Sequence, residues 1–176
     1  MPLDFSKNHF DLFGLPPAFV LDAGRLDQAY RDIQAEIHPD RFAHAGEAEK
    51  RLSMQWTTRV NEAYQTLKKP FERARYLLQL QGIDAMDPMN TTMPADFIMQ
   101  QMEWREALAE AAQARDEAAL RRLEKDLRAH AKALQAELAR LIDEDRNYPR
   151  AGECLRKVRF MDKLLEEVDD AYESLD

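Results

Sequence analysis

Residues 22–42 read DAGRLDQAYRDIQAEIHPDRF, and the way this stretch ends decides the fold. Leu26, Tyr30, Ile33 and Ile37 follow a 4, 3, 4 spacing, which lines one face of an amphipathic helix. Asp22 stands at the N-cap, where a short carboxylate satisfies a free backbone N–H of the first turn. Pro39 stops the helix, because its ring disfavours helical geometry in the residue before it. A loop from His38 to about Gly46 follows.

Downstream, a second helix is expected from about Glu47 to Lys69. Its apolar face is Leu52, Trp56, Val60, Ala63, Tyr64 and Leu67, placed to pack antiparallel on the first helix. Pro70 opens a third segment, Phe71 to Leu80, at a position where a missing N–H costs nothing. Upstream, Phe10 to Leu15 is apolar enough for a short covering turn.

Residues 82–94, GIDAMDPMNTTMP, have the composition of a connection. Beyond them no proline or glycine occurs from Ala95 to Tyr148, so long helices meet no strong breaker. The turn is expected at Arg115-Asp116, with Asp116 as cap. The helix after it carries Leu120, Leu123, Leu127, His130, Leu134, Leu138 and Leu141 on one side. Asn147 and Pro149 begin a last helix with Ala151, Cys154, Val158, Met161, Leu165, Val168 and Tyr172 in the same alternation. The expected architecture is all-α: an antiparallel helical hairpin joined to a C-terminal three-helix bundle.

Composition agrees. Alanine and leucine total 46 of 176 residues against 9 for valine and isoleucine, and 5 glycines leave little for tight hairpins. The net charge is -8, which argues against nucleic acid and anionic membrane surfaces as partners. Residues 1–83 hold 11 basic and 11 acidic side chains and residues 84–176 hold 14 and 22, so the excess negative charge lies in the second half. A single cysteine, Cys154, excludes an internal disulfide and points to a reducing compartment. Neither a secretory leader nor an apolar run long enough to span a bilayer is evident, so a cytoplasmic location is expected.

His38-Pro39-Asp40 lies between two amphipathic helices, and the second carries VNEAYQTL at residues 60–67. This arrangement resembles the J-domain of DnaJ-type co-chaperones. HFDLFGLPPAF (9–19), PFERARYLLQLQG (70–82), REALAE (105–110) and LRKVRFMDKLLEE (155–167) extend the likeness over nearly the whole chain, to the HscB family of iron-sulfur cluster biogenesis. The resemblance implies a J-domain over 1–82, a linker over 83–94 and a client-binding bundle over 95–176. It implies two partners, a DnaK-type ATPase of the HscA kind and an iron-sulfur scaffold of the IscU kind, in a bacterial cytoplasm or, after processing, a mitochondrion. His38, Pro39 and Asp40 would engage the ATPase and stimulate its hydrolysis, which makes the chain an activator and not an enzyme. Arg25, Arg31 and Arg41 would add basic contacts. Asp27, Asp32 and Glu36 interrupt that basic face, so electrostatic steering by it is expected to be weak.

In the first bundle helix, Phe97, Gln101, Trp104, Leu108 and Ala112 share the expected core side. Ile98, Met99, Met102, Glu103 and Glu106 point elsewhere, and Phe160 lies off the core stripe of the last helix. Such an apolar surplus either faces a partner or packs on the first half. In the HscB family an apolar and acidic patch at matching positions holds the scaffold. His130 has no second ligand at helical spacing, Cys154 reads as a small buried hydrophobe, and the paired cysteines that some relatives carry before the J-domain are missing. No metal or cofactor is expected. The alternative function is a helical interaction adaptor with no ATPase partner, for which the tripeptide is incidental.

Overall fold

The computed structural model describes residues 4–176. Among them the regular structure is wholly helical: α1 (His9–Leu12), α2 (Ala23–Ile37), a 3-10 turn (Pro39–Phe42), α3 (Glu47–Lys68), α4 (Pro70–Leu80), α5 (Ala95–Gln113), α6 (Glu117–Ala139), a π-helical turn (Arg140–Glu144) and α7 (Tyr148–Glu173). The all-α expectation holds. Two compact units divide the chain between Leu77 and Leu78, inside α4. No helix among the described residues is long and apolar enough to cross a membrane.

In the first unit Asp22 caps α2 by accepting the Arg25 N–H at 3.1 Å. Three cross-links show that α2 and α3 run antiparallel, because partners ascend along one helix as they descend along the other. The Tyr64 hydroxyl donates to Asp27 at 2.7 Å, the Tyr30 hydroxyl to Asn61 at 2.6 Å, and the Ser53 hydroxyl to the Ile37 carbonyl at 2.6 Å. The Tyr30 and Tyr64 rings stack between them with centroids 3.9 Å apart. Phe10, Phe13, Leu15 and Phe19 are buried on the α1 side, as are Leu26, Val60, Ala63 and Leu67 of α2 and α3, and the Phe13 ring meets Tyr30 edge-on at 6.5 Å.

Two details differ from the sequence reading. Leu52 is 46% exposed and Ser53 takes its place in the core face at 3%. Both positions lie one turn before Trp56, and the spacing alone does not separate them; the partner at the end of α2 does. The stretch after His38 is also not wholly irregular, since Pro39 starts a tight 3-10 turn, in which its fixed φ is already suitable.

The second unit is an up-down-up bundle. Trp104 Nε1–H donates to Asp126 at 3.1 Å between α5 and α6, and the Tyr172 hydroxyl donates to Glu124 at 3.0 Å between α6 and α7. Leu120, Leu127, Leu138, Leu155, Met161 and Leu164 are fully buried, each worth about 1.5–3 kcal/mol of transfer free energy. Asp116 caps α6, accepting the Ala119 N–H at 3.0 Å. Before it the Asp116 N–H reaches back to the Ala111 carbonyl at 2.9 Å and the Arg115 N–H to Ala112 at 3.2 Å, a Schellman ending with Arg115 left-handed at φ 52.

The core face of α7 is broader than one heptad seam. Leu165 and Tyr172 are only half-buried, while Leu155, Leu164 and Ala171 are buried. Met161, Leu164, Val168 and Ala171 share one cluster with Trp104, Leu108 and Ala111 of α5 as well as with leucines of α6, so the C-terminal half of α7 is covered from two sides. Near its start the segment after α4 joins the same unit: Ala85 is fully buried and its carbonyl accepts from Arg156 Nη1 at 3.4 Å.

Candidate functional site

The His38-Pro39-Asp40 turn is built on a helix end that a proline has left short of donors. In an α-helix the Ala35 carbonyl would accept from the N–H of residue 39, which proline lacks. Arg41 Nη1 donates to that carbonyl instead, at 3.2 Å. The Ile37 carbonyl would accept from the Arg41 N–H, but that group turns to the His38 carbonyl at 2.9 Å. The buried Ser53 hydroxyl fills the vacancy at 2.6 Å. Two side chains therefore replace two backbone bonds lost at the bend.

Above this stem the motif is open to solvent, with the side chain of His38 58% exposed and that of Asp40 93%. His38 Nδ1 accepts the Asp40 N–H at 3.2 Å, which leaves Nε2 to carry the proton of the neutral ring and to point a donor away from the turn. The same Nδ1 lies 3.6 Å from the Asp40 carboxylate. The turn thus offers one imidazole and one carboxylate in fixed relation, with neither buried enough to act as an acid or base on an enclosed substrate. Arg25 and Arg31 are exposed on α2, and Arg31 donates to Gln28 at 3.0 Å.

A second candidate surface lies on α5. Ile98, Met99 and Met102 are 45%, 65% and 66% exposed, and Glu103 and Glu106 are exposed beside them. These five share the outward side of a helix whose inward side buries Trp104, Leu108 and Ala111. Phe160 is different: it is half-buried, its ring meets Phe97 edge-on at 5.8 Å, and the Arg105 guanidinium lies 5.2 Å from its centre. Arg105 is itself held by Glu167 at 2.9 Å. Phe160 therefore belongs to the rim of the bundle core, reaching α5 through Phe97 and Arg105.

Other titratable groups have structural settings. Cys154 is buried with its thiol facing the Leu134 carbonyl at 3.5 Å, and burial pushes its pKa up to about 12. His130 stands at the bundle edge, edge-on to Trp104 at 5.0 Å and 3.7 Å from Asp126. No group of three or more His, Cys, Asp or Glu among the described residues is arranged to hold a metal ion. The sequence reading missed Ser53, whose signal was a small hydroxyl residue at helical core spacing from Trp56 and Val60, and it treated Arg41 solely as a charge for a partner.

Comparisons with known proteins place the chain in a family. Residues 93–169 match the family model described as the HSCB C-terminal oligomerisation domain. A curated relative from Aromatoleum aromaticum, named co-chaperone protein HscB homolog, is 49% identical over 176 residues, covering all of this chain and 99% of its own. Chaperone HscB from Vibrio cholerae superposes with a TM-score of 0.80 at 39% identity, covering 96% of this chain and 99% of that one. Human co-chaperone HscB superposes with a TM-score of 0.82 at 31% identity, over 95% of this chain and 83% of its own. The N-terminal hairpin is accordingly a J-domain, and the chain belongs to the HscB family of co-chaperones.

Proposed function

We propose that the chain binds an IscU-like iron-sulfur scaffold through its C-terminal bundle and brings it to an HscA-like, DnaK-type ATPase. It then stimulates that ATPase through His38, Pro39 and Asp40. The parts divide as a J-domain (1–82), a linker (83–94) and a client-binding bundle (95–176). The observation that carries this reading is the exposed, rigidly stemmed imidazole and carboxylate of the J-domain turn. Such a pair redirects charged contacts on a partner without breaking a bond itself, so the chain acts as an activator and not as an enzyme. Arg25, Arg31 and Arg41 supply subsidiary contacts to the ATPase. Ile98, Met99, Met102, Glu103 and Glu106, with Phe160 at their margin, form the scaffold surface, where flexible methionines fit an irregular partner. The site of action is the bacterial cytoplasm.

Single-turnover ATP hydrolysis by the ATPase partner tests the reading. Wild-type protein accelerates it, and Asp40→Asn lowers that acceleration about tenfold or more, the equivalent of roughly 1.4 kcal/mol of contact. The variant keeps its fold, because the carboxylate lies outside the core. A well-folded Asp40→Asn protein that stimulates fully would remove Asp40 from the ATPase contact, and a wild-type protein that leaves the hydrolysis rate unchanged would leave the adaptor reading in its place.

A further inference from the structure

From the stem geometry we infer that Ser53 is a positioning residue for the His38-Pro39-Asp40 turn, acting across the hairpin together with Arg41. The inference rests on the proposed role of that turn as the ATPase contact. Ser53 is 3% exposed on α3, so its side chain cannot meet a partner. Its hydroxyl donates at 2.6 Å to the carbonyl of Ile37, the residue directly before His38. That carbonyl is orphaned because the chain turns sharply at Pro39 and the Arg41 N–H closes the turn on His38 instead.

The consequence is a two-point clasp. Arg41 ties the turn back to the Ala35 carbonyl from the solvent side, and Ser53 ties the last residue of α2 to α3 from the core side. With both in place, the direction of the imidazole and carboxylate is set by α3 as well as by α2. An alanine at 53 leaves the Ile37 carbonyl facing a cavity without a donor, and the stem gains freedom to rotate away from α3. The Tyr30–Tyr64 stack and the Tyr64–Asp27 bond, farther along the hairpin, continue to hold the helices together.

The test uses the full chain as wild type, Ser53→Ala and Asp40→Asn, with two measurements. The first is stimulated single-turnover ATP hydrolysis titrated with co-chaperone. Ser53→Ala keeps the maximal rate but needs about three- to tenfold more protein for half-maximal stimulation, the fold-change expected for one lost hydrogen bond. The second is residue-resolved amide exchange, in which Asp40, Arg41 and Phe42 exchange several-fold faster in Ser53→Ala while the amides of Tyr30 and Tyr64 are unchanged. A half-maximal concentration equal to wild type, in an assay where Asp40→Asn is silent, overturns the positioning role. Exchange that rises evenly along the hairpin also overturns it, since that marks a merely structural residue. If Asp40→Asn stimulates like wild type, the turn is not the ATPase contact, and the exchange pattern at Asp40–Phe42 still decides whether Ser53 holds the turn.

Discussion

The two surfaces proposed to meet partners are built by opposite means. The J-domain turn is short, polar and tied down: Ser53, Arg41 and the His38 ring each place one directional hydrogen bond on its backbone. The outward side of α5 presents Ile98 and the flexible thioethers of Met99 and Met102 on an unbroken helix. Directional bonds fix where a charge points, and a contact that must rearrange charges on another protein depends on that direction. Apolar area carries little direction, and thioethers adjust their rotamers to the partner. The contrast teaches that preorganisation goes with the proposed ATPase contact and adaptability with the proposed scaffold contact.

The largest expected effect separates the bundle's inner side from its outer side. Leu127→Ala should cost about 2–5 kcal/mol of unfolding free energy, because Leu127 is fully buried and the site cannot collapse completely. Met102→Ala, 66% exposed, should change stability by about 0.5 kcal/mol or less. The same Met102→Ala protein should bind the scaffold more weakly by about 1–2 kcal/mol if it is a hot spot. Urea unfolding and a calorimetric scaffold titration on the same samples check both numbers. A Met102→Ala protein destabilised as much as Leu127→Ala would break the comparison, since the face would then be part of the core.

Next in size is a pH effect that contrasts two histidines of the J-domain. His38 is exposed in its turn, whereas His9 is half-buried and stacked on Tyr76 at 4.2 Å, with its Nδ1 buried and lacking a hydrogen-bond partner. Burial first, and then the positive charge of Arg59, hold the His9 pKa below its usual 6.5, with Glu62 opposing. The unfolded chain therefore takes up a proton here at a pH where the folded chain does not. The stabilisation is fully present above about 6.5 and is lost as pH falls below that value. Thermal midpoints at pH 7.5 and 5.5 should differ more in wild type than in His9→Phe, which keeps the stack but cannot titrate. Equal differences in the two proteins would remove His9 from the account.

How much of this was legible in the sequence depends on how far the deciding partner lies along the chain. The stripes of α2, α6 and most of α7 were readable because 3 and 4 spacing is a local signal, and Asp22 and Asp116 were readable as caps because each serves an N–H three residues on. Ser53 was not, because its partner is a carbonyl 16 residues earlier that is orphaned only by the way the chain bends. Nor was the anchoring of Phe160, which needs Phe97 and Arg105 from another helix. The division inside α4 was also hidden, since a continuous helix carries no mark of the point where its burial passes from one unit to the next. The His38-Pro39-Asp40 motif is visible in one dimension, and the clasp beneath it exists only in three.

The smallest expected effect concerns the turns that close the bundle, which are neither clasped like the J-domain turn nor free like the α5 face. Arg115 and Arg146 both adopt left-handed backbone, at φ 52 and φ 50, where a side chain costs about 1–2 kcal/mol relative to ordinary helix geometry. At Arg115 part of that strain is offset, because its Nη2 donates to the Leu175 carbonyl at 2.9 Å. At Arg146 the neighbouring backbone closes the turn, with the Asn147 N–H on the Leu141 carbonyl at 2.8 Å. Glycine relieves the strain but loses more freedom on folding, by roughly 0.5–1 kcal/mol. Arg146→Gly should therefore gain only about 0.5 kcal/mol, and Arg115→Gly should gain less, since it also gives up the bond to Leu175. Urea midpoints of the two variants against wild type rank them. An Arg115→Gly protein more stable than Arg146→Gly would show that the Leu175 contact contributes nothing, and that these turns depend on backbone geometry alone.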